Sequence, residues 1–144
     1  MKKSVLRIKM AALTIALLCI VVLSTSCTAA KMRDYYSQKN NYIRAAGIVT
    51  HITYNEDGTV LYLGFSDLTP QFDDNSFKIV GDSLQAAKEK GIDEKIKIGC
   101  PVEFITAPRY FGDGYVMPIV GISVNEEELL EFEEGVDNLL KWLG

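Results

Sequence analysis

The chain has 144 residues, 48% of them hydrophobic and 24% charged, with a formal net charge of −4. Apolar material in that proportion supplies one domain with a core of its own, and the excess of acids excludes a phosphate-backbone nucleic acid as partner. The single histidine and the three widely spaced cysteines exclude the paired ligands of common zinc sites and leave no disulfide framework.

The first 26 residues form a segment of their own. Lys2, Lys3, Arg7 and Lys9 precede the apolar run Ala11 to Leu23, which passes into Ser24, Thr25, Ser26 and then Cys27. Basic, apolar, then small is the layout of an export signal. A membrane-crossing helix needs about 20 apolar residues, and this run is shorter. All four of those cations, and no acid, lie in the segment, so the remainder of the chain is more acidic than the whole.

The stretch "LSTSC" resembles a bacterial lipobox, the site where a lipoprotein signal is cut just before a cysteine that becomes acylated. Ser26 supplies the small residue before the cysteine; Ser24 stands where the family usually carries Leu, and Leu23 falls one position early. The resemblance implies lipidation of Cys27 and attachment through acyl chains to a membrane on its extracytoplasmic face. Ordinary secretion, with cleavage within "STSCTAA", and an uncleaved anchor are the alternatives. The resulting division is an export signal over 1–26, a lipid-anchored tether over 27–41 and a folded domain over 42–144. With Cys27 acylated, Cys100 is the one thiol left, a small hydrophobe in an apolar stretch.

Within the tether, Tyr35 and Tyr36 are placed to dock on the domain. Residues 42–54 are rich in β-branched and aromatic side chains and read as a long strand, in which Gly47 marks a bulge or sharp coil. "NEDG", residues 55–58, is a hairpin turn. From Thr59 to Phe65 the chain alternates, with Leu61, Leu63 and Phe65 on one face of a second strand. "DLTPQFDDNS" reads as a loop, and Phe77 to Val80 as a short third strand. Asp82 is placed to cap a short helix that Gly91 ends. A fourth strand is expected from Ile96 to about Thr106, with Pro101 at a bulge or edge, and a fifth over Tyr115 to Val124, where Pro118 implies the same. Asn125 with Glu128 reads as the capping box of a C-terminal helix. Leu129, Phe132, Val136, Leu139, Leu140 and Leu143 would form its apolar face, with Glu126, Glu127 and Glu128 in its first turn.

Five strands with a short helix between the third and fourth, followed by an amphipathic C-terminal helix, give a mainly β fold. Over residues 42–124 this order resembles the OB-fold, a small five-stranded Greek-key barrel; another open barrel or an α+β sandwich is the runner-up. The resemblance implies binding through the loops joining strands 1–2 and 4–5, here 55–58 and 108–114. The residue types suited to it are Tyr54, Arg109, Tyr110, Phe111, Asp113 and Tyr115: rings to stack on a sugar or peptide, and a guanidinium to pair with a carboxylate.

No catalytic arrangement emerges. His51 is the only imidazole and sits within a strand, and neither "GFSDL" nor "GISVN" matches the nucleophile elbow. "FDDNSF" lacks the glycine and closing glutamate of a calcium loop and reads as a solvated loop. The expectation is a non-enzymatic protein without cofactor or metal, a binding module for an envelope protein, peptide or saccharide. The alternative is a structural or assembly subunit whose loop aromatics pack internally, against Phe132 and Trp142 of the C-terminal helix.

Overall fold

A computed structural model of the chain describes Met10, residues 28–109, Phe111 and residues 115–144. The chain divides into two compact units, Met1–Asp34 and Tyr35–Gly144. In the first, the described residues are helical; the signal segment and Cys27 lie outside the described residues, apart from Met10. No helix among the described residues is long and apolar enough to cross a membrane. Helix α1, residues 28–37, carries the chain into the second unit.

That second unit is mainly β. Its strands are β1 (Ile43–Tyr54), β2 (Val60–Thr69), β3 (Phe77–Val80), β4 (Pro101–Thr106), β5 (Met117–Val124) and β6 (Glu127–Leu130). Helices α2 (Gly81–Glu89) and α3 (Ile92–Lys95) lie between β3 and β4, and α4 (Phe132–Leu143) follows β6. The sheet order is β3-β2-β1-β4-β5-β6, and a further pairing of β3 with β5 closes five of the strands into a ring.

The long first strand makes the ring possible. Its first half pairs with β4, Ile43 opposite Thr106, and its second half with β2, Tyr54 opposite Leu61. One strand can serve two neighbours in this way only if it coils, and the register against β2 shifts twice, between Ala46 and Ile48 and between Val49 and His51. Gly47 lies at the first shift, as its sequence position suggested. A Cβ there would come within 3.0 Å of the Phe65 Cβ, tighter than ordinary packing.

Closure is short: Phe77 lies opposite Met117 and Lys78 opposite Pro118, in parallel. Pro118 has no N–H to give, so the neighbouring Met117 N–H donates to the Ser76 carbonyl at 3.1 Å. The Pro118 carbonyl is used, accepting from the buried Thr106 hydroxyl at 2.7 Å. The β4–β5 register shifts beside it, between Ile105 and Thr106, the irregularity expected of a proline within a sheet.

The barrel is filled by the inward residues of the alternating strands. Leu61, Leu63 and Phe65 are all buried, with Val49, Phe77, Ile79, Val102 and Phe104. Phe65 and Phe104 stack 4.6 Å apart, and Phe77 meets Phe104 edge-on at 5.0 Å. Leu84 and Ala87 of α2, Ile92 of α3 and Ile96 are buried in the same core. The 55–58 turn forms as its residues dictate: Gly58 has φ +71°, Asn55 Oδ1 accepts from the Val60 N–H at 2.9 Å, and Asp57 Oδ1 accepts from the Thr59 N–H at 3.1 Å.

Four elements differ from the sequence expectation; one is α2, which begins at Gly81 with Val80 at its N-cap, so that Asp82 lies within its first turn rather than capping it. Strand β2 runs on to Thr69, through residues expected to be loop, because Thr69 still finds Ala46 as a partner across the bulges of β1. Residues 96–98 are not strand. Ile96 plugs the barrel, Ile98 is 71% exposed, and Gly99 at φ +89° turns the chain so that its N–H donates to the Val49 carbonyl at 2.7 Å.

The largest difference is at the C-terminus. Asn125 and Glu126 take positive φ, 51° and 67°, as a turn rather than a helix start, and Glu127–Leu130 folds back along β5 as β6. Leu129 and Leu130 are both fully buried. Adjacent residues of an amphipathic surface helix do not both bury so completely, whereas a strand covered on both faces allows it. The helix is therefore confined to Phe132–Leu143, with Glu131 rather than Asn125 at its N-cap. It lies close on β5: a Cβ at Gly135 would overlap the Val120 carbonyl.

Candidate ligand-binding site

Of the residues singled out in the sequence, the described ones fall at opposite ends of β1. Tyr54 closes that strand beside the 55–58 turn, while the β4–β5 loop leaves the barrel next to Ile43. They do not converge on one cleft.

At the first end Tyr54 is tied to the helices. Its hydroxyl donates to the Asp93 carboxylate of α3, and the Lys88 ammonium of α2 stands 4.7 Å from its ring centroid. Lys88 also reaches the Gly58 carbonyl at 3.4 Å. Burial, then the bond to Asp93, push the Tyr54 hydroxyl well above the usual phenol range. The negative charges of Asp93 and Glu94 act in the same direction. An apolar cavity of about 420 Å³ opens beside it, between Ile52, Leu61, Ile92, Ile96 and Ile98.

At the other end Arg109 and Phe111 lie on the residues that lead into the barrel. The Arg109 guanidinium sits 5.2 Å from the Tyr35 ring centroid and 5.3 Å from that of Phe111. Phe111 meets Tyr35 at 5.6 Å, Tyr36 at 5.7 Å and Tyr115 at 5.4 Å. Tyr36 is fully buried, and among the described residues its hydroxyl has no hydrogen-bond partner. Tyr42 completes the group, donating its hydroxyl to the Tyr36 carbonyl at 2.8 Å and packing edge-on against Phe132 at 5.4 Å. Burial raises the hydroxyl pKa of Tyr35, Tyr42 and Tyr115, and at Tyr35 the Arg109 charge partly offsets it. Tyr110 and Asp113 lie outside the described residues.

A residue that the sequence did not mark joins this end. Lys78, on the outer face of β3, holds its ammonium 5.6 Å from the Tyr115 ring centroid and 5.1 Å from that of Trp142 in α4. Burial lowers its pKa. The one available signal was strand alternation: between Phe77 and Ile79, which point inward, Lys78 must point out. Nothing in the sequence said which rings would meet it there.

The "FDDNSF" loop lines a cavity of about 510 Å³ with Gln71, Pro108 and Met117. Its Asn75 holds β2, accepting from the Phe65 N–H at 2.8 Å and donating back to the Phe65 carbonyl. Among the described residues no three His, Cys, Asp or Glu side chains are grouped to hold a metal ion. His51 is exposed and pairs with the Thr53 hydroxyl at 2.7 Å. No protein-family model matches the sequence, and no curated protein matches it significantly.

Proposed function

We propose that this protein is an extracytoplasmic lipoprotein, acylated on Cys27, whose barrel is a non-catalytic binding module of the OB-fold type for an envelope ligand or protein. The observation that carries this reading is the ring. Five strands joined as β1-β2-β3-β5-β4, closed by a parallel β3–β5 pair and with helices between β3 and β4, agree with a small Greek-key barrel. Such barrels serve by what their loops and outer faces hold, and the chemistry on this one is recognition chemistry: rings, one guanidinium and one ammonium. The signal-like residues 1–26 and the "LSTSC" stretch support the lipid anchor.

Two measurements test the reading. A clickable palmitate analogue should label the wild-type protein and not Cys27→Ser, and globomycin should cause the precursor to accumulate; an unlabelled wild type with unchanged processing overturns the anchor. Crosslinking in the native cell should recover a defined envelope component, and Arg109→Ala with Phe111→Ala should reduce that recovery severalfold. Undiminished recovery removes the β4–β5 loop from the binding surface. It would favour the second reading, a structural subunit of an envelope assembly, for which the packing of Phe111 on Tyr35 and Tyr36 is the specific support.

A further inference from the structure

Among the described lysines, Lys88 and Lys97 reach main-chain carbonyls, those of Gly58 and Asp93, and Lys31 is exposed. The domain is acidic, and Lys39, Lys90, Lys95 and Lys141 each find a carboxylate, those of Glu133, Glu131, Glu127 and Asp82. Lys78 is half-buried, and among the described residues no carboxylate lies within ion-pair reach of it. Rings surround it instead: Tyr115 and Trp142 at the distances above, and Tyr62 directly across the strand pair on the same face. Ring contacts return less to a cation than its hydration does, so an anion would complete the site.

The surroundings are built to hold this arrangement. Gly81, at φ +52°, lies against the Cδ1 edge of the indole: a Cβ there would stand 2.9 Å from Trp142 Cδ1. Lys141, the neighbour of Trp142, pairs with Asp82 and holds the end of α4 over the start of α2. Three parts of the chain thus converge on one ammonium, and Trp142 is still 46% exposed.

We propose that Lys78, Tyr62, Tyr115 and Trp142 form a binding site for a pyranose carrying a single carboxylate, the carboxylate on Lys78 and the sugar's C–H face on the Trp142 ring. An exposed indole with the Tyr62 phenol on the same face suits a sugar ring, which is apolar on its faces and polar at its rim. The acidic surface of the domain repels a polyanion, which disfavours an acidic peptide with several carboxylates and admits one isolated charge. The inference rests on the binding-module reading and names its ligand class.

Trp142 is the only tryptophan in the chain, so its fluorescence reports the site directly. The full chain in detergent micelles is titrated with methyl glucuronoside, methyl glucoside and N-acetylglutamate amide. The glucuronoside should give a saturable change in Trp142 emission, with at least about tenfold weaker binding of the neutral glucoside. Lys78→Met, which keeps an apolar stem, should lose the preference for the acid while retaining the wild-type circular dichroism. The two sugars compared on the unaltered protein decide the same point without any variant. No saturable response to the glucuronoside, an equal response to the glucoside, or a response to the glutamate derivative alone each overturns the proposal. If the sugars fail while crosslinking in cells still recovers a defined component, the ligand class falls and the binding module stands.

Discussion

Inside the barrel, Phe65, Phe77 and Phe104 meet ring to ring with no polar atom among their side chains, all of them within 2% of full burial. At the mouth, Tyr35, Tyr36, Tyr42, Phe111 and Tyr115 make contacts of similar length, yet most carry hydroxyls, and cations lie against several of them. The inner group can do one thing, exclude water. The outer group, the buried Tyr36 apart, is half wet, and part of its energy goes into holding polar atoms where bulk water cannot fully serve them. The number of ring contacts therefore does not measure stabilisation: the mouth has more of them and gains less.

Substitution in each group breaks or sharpens this contrast. Phe104→Ala should cost about 3–5 kcal/mol in urea unfolding, because it removes both the stack on Phe65 and the edge contact with Phe77 from a closed interior. Phe111→Ala should cost only roughly 1–2 kcal/mol, since its ring is partly solvated. Equal losses at the two positions would show that the mouth is as much core as the interior. Tyr36→Phe should leave stability unchanged or raise it by about 1 kcal/mol, because it removes a buried hydroxyl that has no partner among the described residues. A loss above that size in the same unfolding assay would mean that the hydroxyl is bonded in solution.

The smallest effect is in the pH dependence. Burial depresses the Lys78 pKa below its ordinary 10.5 in the folded state. Well below that window the lysine is charged in both states, and its lost hydration costs the fold. As pH rises, the folded state releases the proton before the unfolded chain does, so the stability contributed by this residue increases up to about 10.5. Tyr42, Tyr54 and Tyr115 act the other way: their raised folded values mean that the unfolded chain ionises first, near 10.0, and stability falls above it. Subtracting the Lys78→Met curve from the wild-type curve isolates the lysine, and the difference should rise as the pH approaches 10.5. A flat difference would place Lys78 in full contact with water.

Much of the barrel was legible because its signals are local. Alternation over 61–65 identified the inward face, Asn55 to Gly58 identified the hairpin, and Gly47 marked the coil of β1. Residues 125–130 misled for an equally physical reason. Asn125 with Glu128 satisfies the wording of a capping box, and Leu129 happens to share a helical period with Phe132 and Val136. The competing strand depends on β5 and α2 being there to cover Leu129 and Leu130, which no window of sequence contains. Of the candidate site, Tyr35, Tyr36, Arg109, Phe111 and Tyr115 were visible as residue types. Lys78 was hidden because its partners come from the far end of α4 and from the β4–β5 loop.

The sequence by itself determined an acidic charge balance, five of the strands and the pattern of the core, since these follow from composition and from periods of two and a few residues. Tertiary structure alone decided that β3 closes on β5, that 127–130 is a strand, that Tyr54 and the β4–β5 loop lie apart, and that one lysine is held among rings. Each of these is a choice between partners distant in the chain, decided by how completely both sides are covered when the barrel closes.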